Sequence, residues 1–152
     1  MKIKKITLII LTSIISFVTM GQTNTTSLKT YLSNYQISES DASIGKVPYK
    51  IIVDDAKLNR NVSGYVKLVD LEQKSTLLTL KLKYWKTTKD NDGITYWFNL
   101  YGNAKFNIFK ICNWTERQNI KGKLYKSIII FSLYDEYENR ISDFGFLGNK
   151  TN

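Results

Sequence analysis

Apolar and polar residues alternate along most of the chain after Pro48, and a period of two predicts one strand after another. Residues 76–85 are the clearest case. Leu78, Leu80, Leu82 and Tyr84 share one face there, and Thr79, Lys81 and Lys83 share the other. Lys89-Asp90-Asn91-Asp92-Gly93 turns the chain, and residues 94–100 return with Ile94, Tyr96, Phe98 and Leu100 aligned. Residues 49–53 and 65–71 form earlier strands, and 106–112 follows a turn at Gly102-Asn103. Residues 124–134 are apolar on both faces around Ile128 to Phe131, and 141–146 closes the series. About seven strands so spaced predict a mainly β chain, a single antiparallel β-sandwich or barrel-like meander. The short connections make neighbours in sequence neighbours in the sheet.

Three stretches depart from alternation. In residues 26–35, Leu28, Tyr31, Leu32 and Tyr35 recur at i, i+3, i+4 and i+7, with Ser27 as N-cap, which predicts a short N-terminal helix. The same stretch also fits a strand with Tyr31, Ser33 and Tyr35 on one face. Residues 38–46 and 113–123 are polar and read as loops, and 147–152 as a flexible tail.

The N-terminus follows another logic. Lys2, Lys4 and Lys5 precede an apolar run over residues 6–18, and Thr19 and Gly21 stand at −3 and −1 of a cleavage point. A membrane-spanning helix needs about 20 apolar residues, more than this run supplies. The segment therefore reads as a signal peptide and resembles bacterial export signals. Gln22 and Thr23 stand where a lipoprotein would carry its acylated cysteine. The expected organisation is a signal peptide over 1–21, a lead with the helix over 22–48, a β domain over 49–146 and the tail. Cleavage near Gly21 leaves about 130 residues, one domain's worth, in the periplasm or outside the cell.

Charge and rare residues narrow the chemistry. The chain has 22 basic residues, three of which leave with the signal, against 13 acidic ones. The lysines alternate with apolar residues instead of forming a block, as on the wet face of a half-buried sheet. They would also attract an acidic envelope component, but no nucleic-acid-binding motif accompanies them. There is no histidine, so Ser-His-Asp and Cys-His catalysis and His-ligated zinc are excluded. The single cysteine, Cys112, excludes an intrachain disulfide and sits in an apolar run as a small buried hydrophobe.

Asp90-Asn91-Asp92-Gly93 has the middle of a calcium loop but lacks its first carboxylate and its bidentate Glu; it reads as a hairpin turn. Asp135, Glu136, Glu138 and Asp143 are the densest acidic group, and Asp54-Asp55 another. Both read as solvated turns, and no catalytic residue, metal or cofactor is expected. The aromatics offer more. Alternation points Trp85, Trp97 and Tyr101 away from the leucine-rich face, and Trp114 falls in the long loop. These four are the expected ligand-binding residues of a non-catalytic binding or adhesion module for carbohydrate, a cell-envelope component or a partner protein. The competing expectations are a small barrel carrying an apolar ligand against Leu78, Leu80, Leu82, Tyr96 and Phe98, and a hydrolase working through carboxylates; an integral outer-membrane barrel is not expected, because lysines stand at mid-strand positions where a lipid face would be apolar.

Overall fold

The computed structural model describes residues 28–38, 44–102 and 105–151. Eight strands follow one another: β1 (Leu28–Ser38), β2 (Ile44–Asp54), β3 (Ser63–Asp70), β4 (Ser75–Lys89), β5 (Gly93–Tyr101), β6 (Ile108–Ile120), β7 (Lys123–Tyr134) and β8 (Arg140–Thr151). Each pairs antiparallel with the next, and β1 pairs with β8, so the sheet closes as an up-and-down barrel. The barrel-like meander is therefore the architecture, with one strand more than the sequence pattern gave.

The additional strand is β1, where a helix was expected. Its apolar spacing satisfies both periods, and hydrogen-bonding partners on both sides decide for the strand. The presumed lead thus supplies β1 and the first residues of β2, which begins at Ile44 inside the presumed loop over 38–46. The presumed tail belongs to β8, which runs on to Thr151; its hydroxyl donates to the Thr30 carbonyl at 3.2 Å. The presumed loop at 113–123 is the end of β6, a turn at Lys121-Gly122 and the start of β7. Both turn residues have positive φ, 50° and 79°. The signal segment lies outside the described residues.

Inward positions fill the barrel. Leu82, Phe98, Phe109, Ile129 and Phe131 are all buried, contributed by four successive strands. Phe131 stacks on Phe144 with centroids 5.2 Å apart, and Phe144 meets Phe106 and Phe146 edge-on at 4.9 and 5.3 Å. The filling changes along the axis. Aromatic rings close the end that holds the β5–β6 and β7–β8 turns. The other end carries polar groups inside: Lys29 pairs with Asp55, and the Ser127 hydroxyl lies 2.6 Å from Asn113 Oδ1. Two glycines permit close strand crossings there. A Cβ on Gly64 would strike the Asp54 carbonyl, and one on Gly93 the Asn113 carbonyl.

Among the described residues no helix is long and apolar enough to cross a membrane. The fold is a small β-barrel, consistent with a binder or a carrier.

Phe131 touches more of the ring cluster than its neighbours do. Phe131→Ala is expected to lower the unfolding free energy by about 3–5 kcal/mol, read by chemical denaturation. Lys81→Ala, on the wet face, should stay within about 0.5 kcal/mol of the parent.

Candidate functional site

On the outer face of β4 and β5 the register is interrupted. Tyr84 pairs with Phe98 and Lys86 pairs with Trp97, so Trp85 is the extra residue of a β-bulge. The bulge brings two indoles side by side from neighbouring strands. Trp85 and Trp97 meet edge-to-face, with centroids 6.1 Å apart and planes at 85°. Trp97 is fixed further by its Nε1, which donates to Thr88 Oγ1 at 3.0 Å.

Two ammonium groups flank the indoles. The register places Lys86, Trp97 and Lys110 in one row across β4, β5 and β6. Lys86 Nζ lies 4.1 Å from the Trp85 ring centroid and 5.0 Å from that of Trp97. Lys110 Nζ lies 4.9 Å from the Trp97 centroid and 5.6 Å from that of Tyr134. Lys110 is only 7 % exposed and donates to the Tyr134 hydroxyl at 3.4 Å. Contacts of this kind stabilise a cation by about 0.5–2 kcal/mol each, more as water is excluded.

Trp85, Lys86, Trp97 and Tyr134 border a groove of about 360 Å³ on the outside of the barrel. Trp85, Lys86, Trp97 and Asn99 form one wall; Asn107, Ile108, Tyr134, Asp135 and Glu138 form the other. The second wall is held by Asn107. Its side-chain amide donates to the Tyr134 carbonyl at 2.7 Å and accepts from the Tyr134 amide at 2.9 Å, extending the β6–β7 ladder by a side chain. The Asn99 amide makes no hydrogen bond among the described residues and is available to a ligand.

The groove therefore unites two of the four residues expected from sequence. Tyr101 is on the same face, 46 % exposed, but lies beyond the groove. Trp114 is elsewhere. It belongs to β6, opposite Gly93, and is half-buried. Its polar neighbours suggested a loop because this part of β6 is wet on both faces. Asn107, Ile108, Tyr134 and Glu138 were not anticipated, since no local pattern brings them to β4. Outward alternation along β7 would have found Tyr134.

The acidic groups separate into two cases. Asp135 Oδ1 accepts from the amides of Tyr137 and Asn139 at 2.9 and 2.8 Å, and Oδ2 from the Asn139 side chain at 3.1 Å. The Asn139 side chain above all holds the Asp135 carboxyl below its ordinary pKa, so it organises a turn and is a poor proton donor. Asp90 likewise organises the hairpin turn expected for it, accepting from the Asp92 and Gly93 amides at 3.0 and 2.9 Å. Asp54 and Asp55 correct the sequence reading: both are buried, not solvated. Asp54 accepts from the Ala56 amide and Asp55 from that of Lys57, each at 3.0 Å. They cap a left-handed turn in which Ala56, Lys57 and Leu58 have φ of 45°, 59° and 57°. L-residues adopt this conformation at a cost of about 1–2 kcal/mol each, offset here by the caps and by Lys29 on Asp55.

Burial is also the first cause that raises the Cys112 thiol, which makes it a weak nucleophile. Among the described residues no group of three or more His, Cys, Asp or Glu is placed to hold a metal ion. The chain matches no protein-family model, no curated protein and no solved structure.

Tyr31 sits inside the polar end, and burial, then the Asp55 charge, then Tyr96, push its phenol from 10.0 up to about 12. The unfolded chain releases this proton near pH 10 while the folded one retains it. Stability contributed by Tyr31 is therefore complete below pH 10 and is lost as pH rises towards about 12. Denaturation midpoints from pH 9 to 12 should fall less steeply for Tyr31→Phe than for the parent, by at most about 1.4 kcal/mol per pH unit.

Proposed function

We propose that the chain is an exported, non-catalytic binding module that holds a saccharide in the groove beside Trp85 and Trp97. The observation that carries this reading is the indole pair itself. Two large rings from adjacent strands remain half-buried on the outside of a closed barrel, where packing of the core does not require them. Rigid rings beside hydrogen-bonding groups favour ligands with apolar faces and polar edges. Asn99 and Glu138 are the groups placed to take hydroxyls. A groove of about 360 Å³ is at the small end of ligand pockets, suited to one or two sugar rings at a time.

The alternatives draw less support. A carrier of an apolar ligand needs space inside the barrel, and Leu80, Leu82 and Phe98 belong to one buried core cluster with Phe109, Phe131 and Phe146. A carboxylate hydrolase needs two acids converging on a cleft. Asp135 and Glu138 both border the groove, but Asp135 is committed to its turn with its carboxyl held below the ordinary pKa, and Asp54 and Asp55 are committed to theirs. Export is supported by the N-terminal pattern of Lys2, Lys4 and Lys5, the apolar run and Gly21.

Saccharide binding should change tryptophan fluorescence, and Trp97→Ala should weaken it at least tenfold with the melting temperature little altered. A panel of cell-envelope saccharides that leaves the fluorescence of the parent unchanged would sink the proposal. Expressed in a bacterium with its N-terminus intact, the protein should be recovered outside the cytoplasm with Gln22 as its first residue, read by mass spectrometry.

A further inference from the structure

The groove is one corner of a larger surface. Outward positions on β3 and β4 carry Lys67, Lys81, Lys83 and Lys86, Lys110 continues the face on β6, and no outward position of β3 to β5 is acidic. Among the described residues none of these five lysines pairs with a carboxylate; the ion pairs Lys29–Asp55 and Arg140–Asp143 are elsewhere. Aromatic rings stand between them. Tyr65, Lys81 and Tyr101 form one row across β3, β4 and β5, and Lys86, Trp97 and Lys110 form another. Along β5 the two rows are separated by the four residues from Trp97 to Tyr101, about 13 Å, which exceeds one sugar ring.

The cations are also held in place. Lys86 lies over the face of Trp85, and Lys86 and Lys110 both lie over Trp97. A ligand approaching the indoles therefore meets fixed ammonium groups. A neutral sugar gains no charge pairing from these ammoniums, whereas an acidic one finds its countercharge in them. Burial of Lys110 without a carboxylate partner favours an anionic ligand in the same way.

We propose that the outer face of β3 to β6 binds an acidic polysaccharide, with carboxylates on the lysines and sugar rings along the Trp97–Tyr101 line. This rests on the saccharide reading and adds its charge and length. Single-stranded nucleic acid is the competing polyanion. It is disfavoured because no nucleic-acid-binding motif accompanies the lysines.

The test titrates the purified protein, by tryptophan fluorescence and calorimetry, with galacturonate oligomers, neutral galactose oligomers of equal length and oligo-dT. Galacturonate is expected to bind at least tenfold tighter than the neutral oligomer, and to weaken at least fivefold between about 50 and 500 mM salt. The double variant Lys81→Gln, Lys83→Gln lies on the wet face and should fold normally. It should weaken galacturonate at least threefold while leaving neutral binding unchanged, whereas Trp97→Ala weakens both. Equal or tighter binding of the neutral oligomer overturns the acidic-ligand inference and leaves the saccharide reading standing. Preference for oligo-dT over both sugars, or no binding of any probe, overturns both.

Discussion

Closure of the sheet by β1 against β8 is the constraint on which everything else depends. With all eight strands paired on both sides, the barrel has no free edge and needs no covering layer. The inward residues are then obliged to fill a narrow interior. They do so with rings at one end and with an ion pair and hydroxyl contacts at the other. The outward residues are released from packing. That is why an indole pair on the outer wall calls for explanation, while the same pair inside a sandwich would not.

The site depends on closure in a second way. A β-bulge costs ladder hydrogen bonds and bends its strand, which a continuous wall tolerates because both neighbours are held elsewhere. At Trp85 the bulge shifts β4 by one residue, so Lys86 faces Trp97 across the strands and Trp85 lies beside it. Without that shift the sequence Tyr84-Trp85-Lys86 would turn Lys86 towards the interior. The β7–β8 turn completes the groove because Asn107 clamps Tyr134 and Asp135 ties its own loop. The aromatic wall and the polar wall are thus positioned by backbone geometry, with Asn107 holding the polar wall and Lys110 reaching from Trp97 to Tyr134.

Much of this was legible in the chain. Alternation assigned the two faces of β4 and β5, because each strand pairs with a close sequence neighbour and one face is plainly apolar. It therefore placed Trp85 and Trp97 on a common outer face. It failed for β1, whose Leu28, Tyr31, Leu32 and Tyr35 fit a helical period as well; pairing with β8, more than 100 residues away, decides that case. It failed for residues 113–123, where strands projecting past their neighbours are wet on both sides and lose the contrast that marks a strand. Asp54 and Asp55 read as solvated because two adjacent acids usually are. Their burial is made tolerable by Lys29 from another strand and by a backbone turn that L-residues seldom adopt. Of the groove, only the part built from one hairpin was readable. The part contributed by β6, β7 and the turn after it required the closed geometry.

The pairing of first strand with last also sets the order in which the molecule can come into being. A chain emerging N-terminus first can form its hairpins early, but β1 has no second partner until Thr151 has appeared. Until then the row of backbone donors and acceptors on β1 is open, and the ring cluster lacks Phe144 and Phe146. Such contacts between distant parts of a chain slow the final step of folding. The closed barrel is thereby withheld until β8 is available to pair with β1.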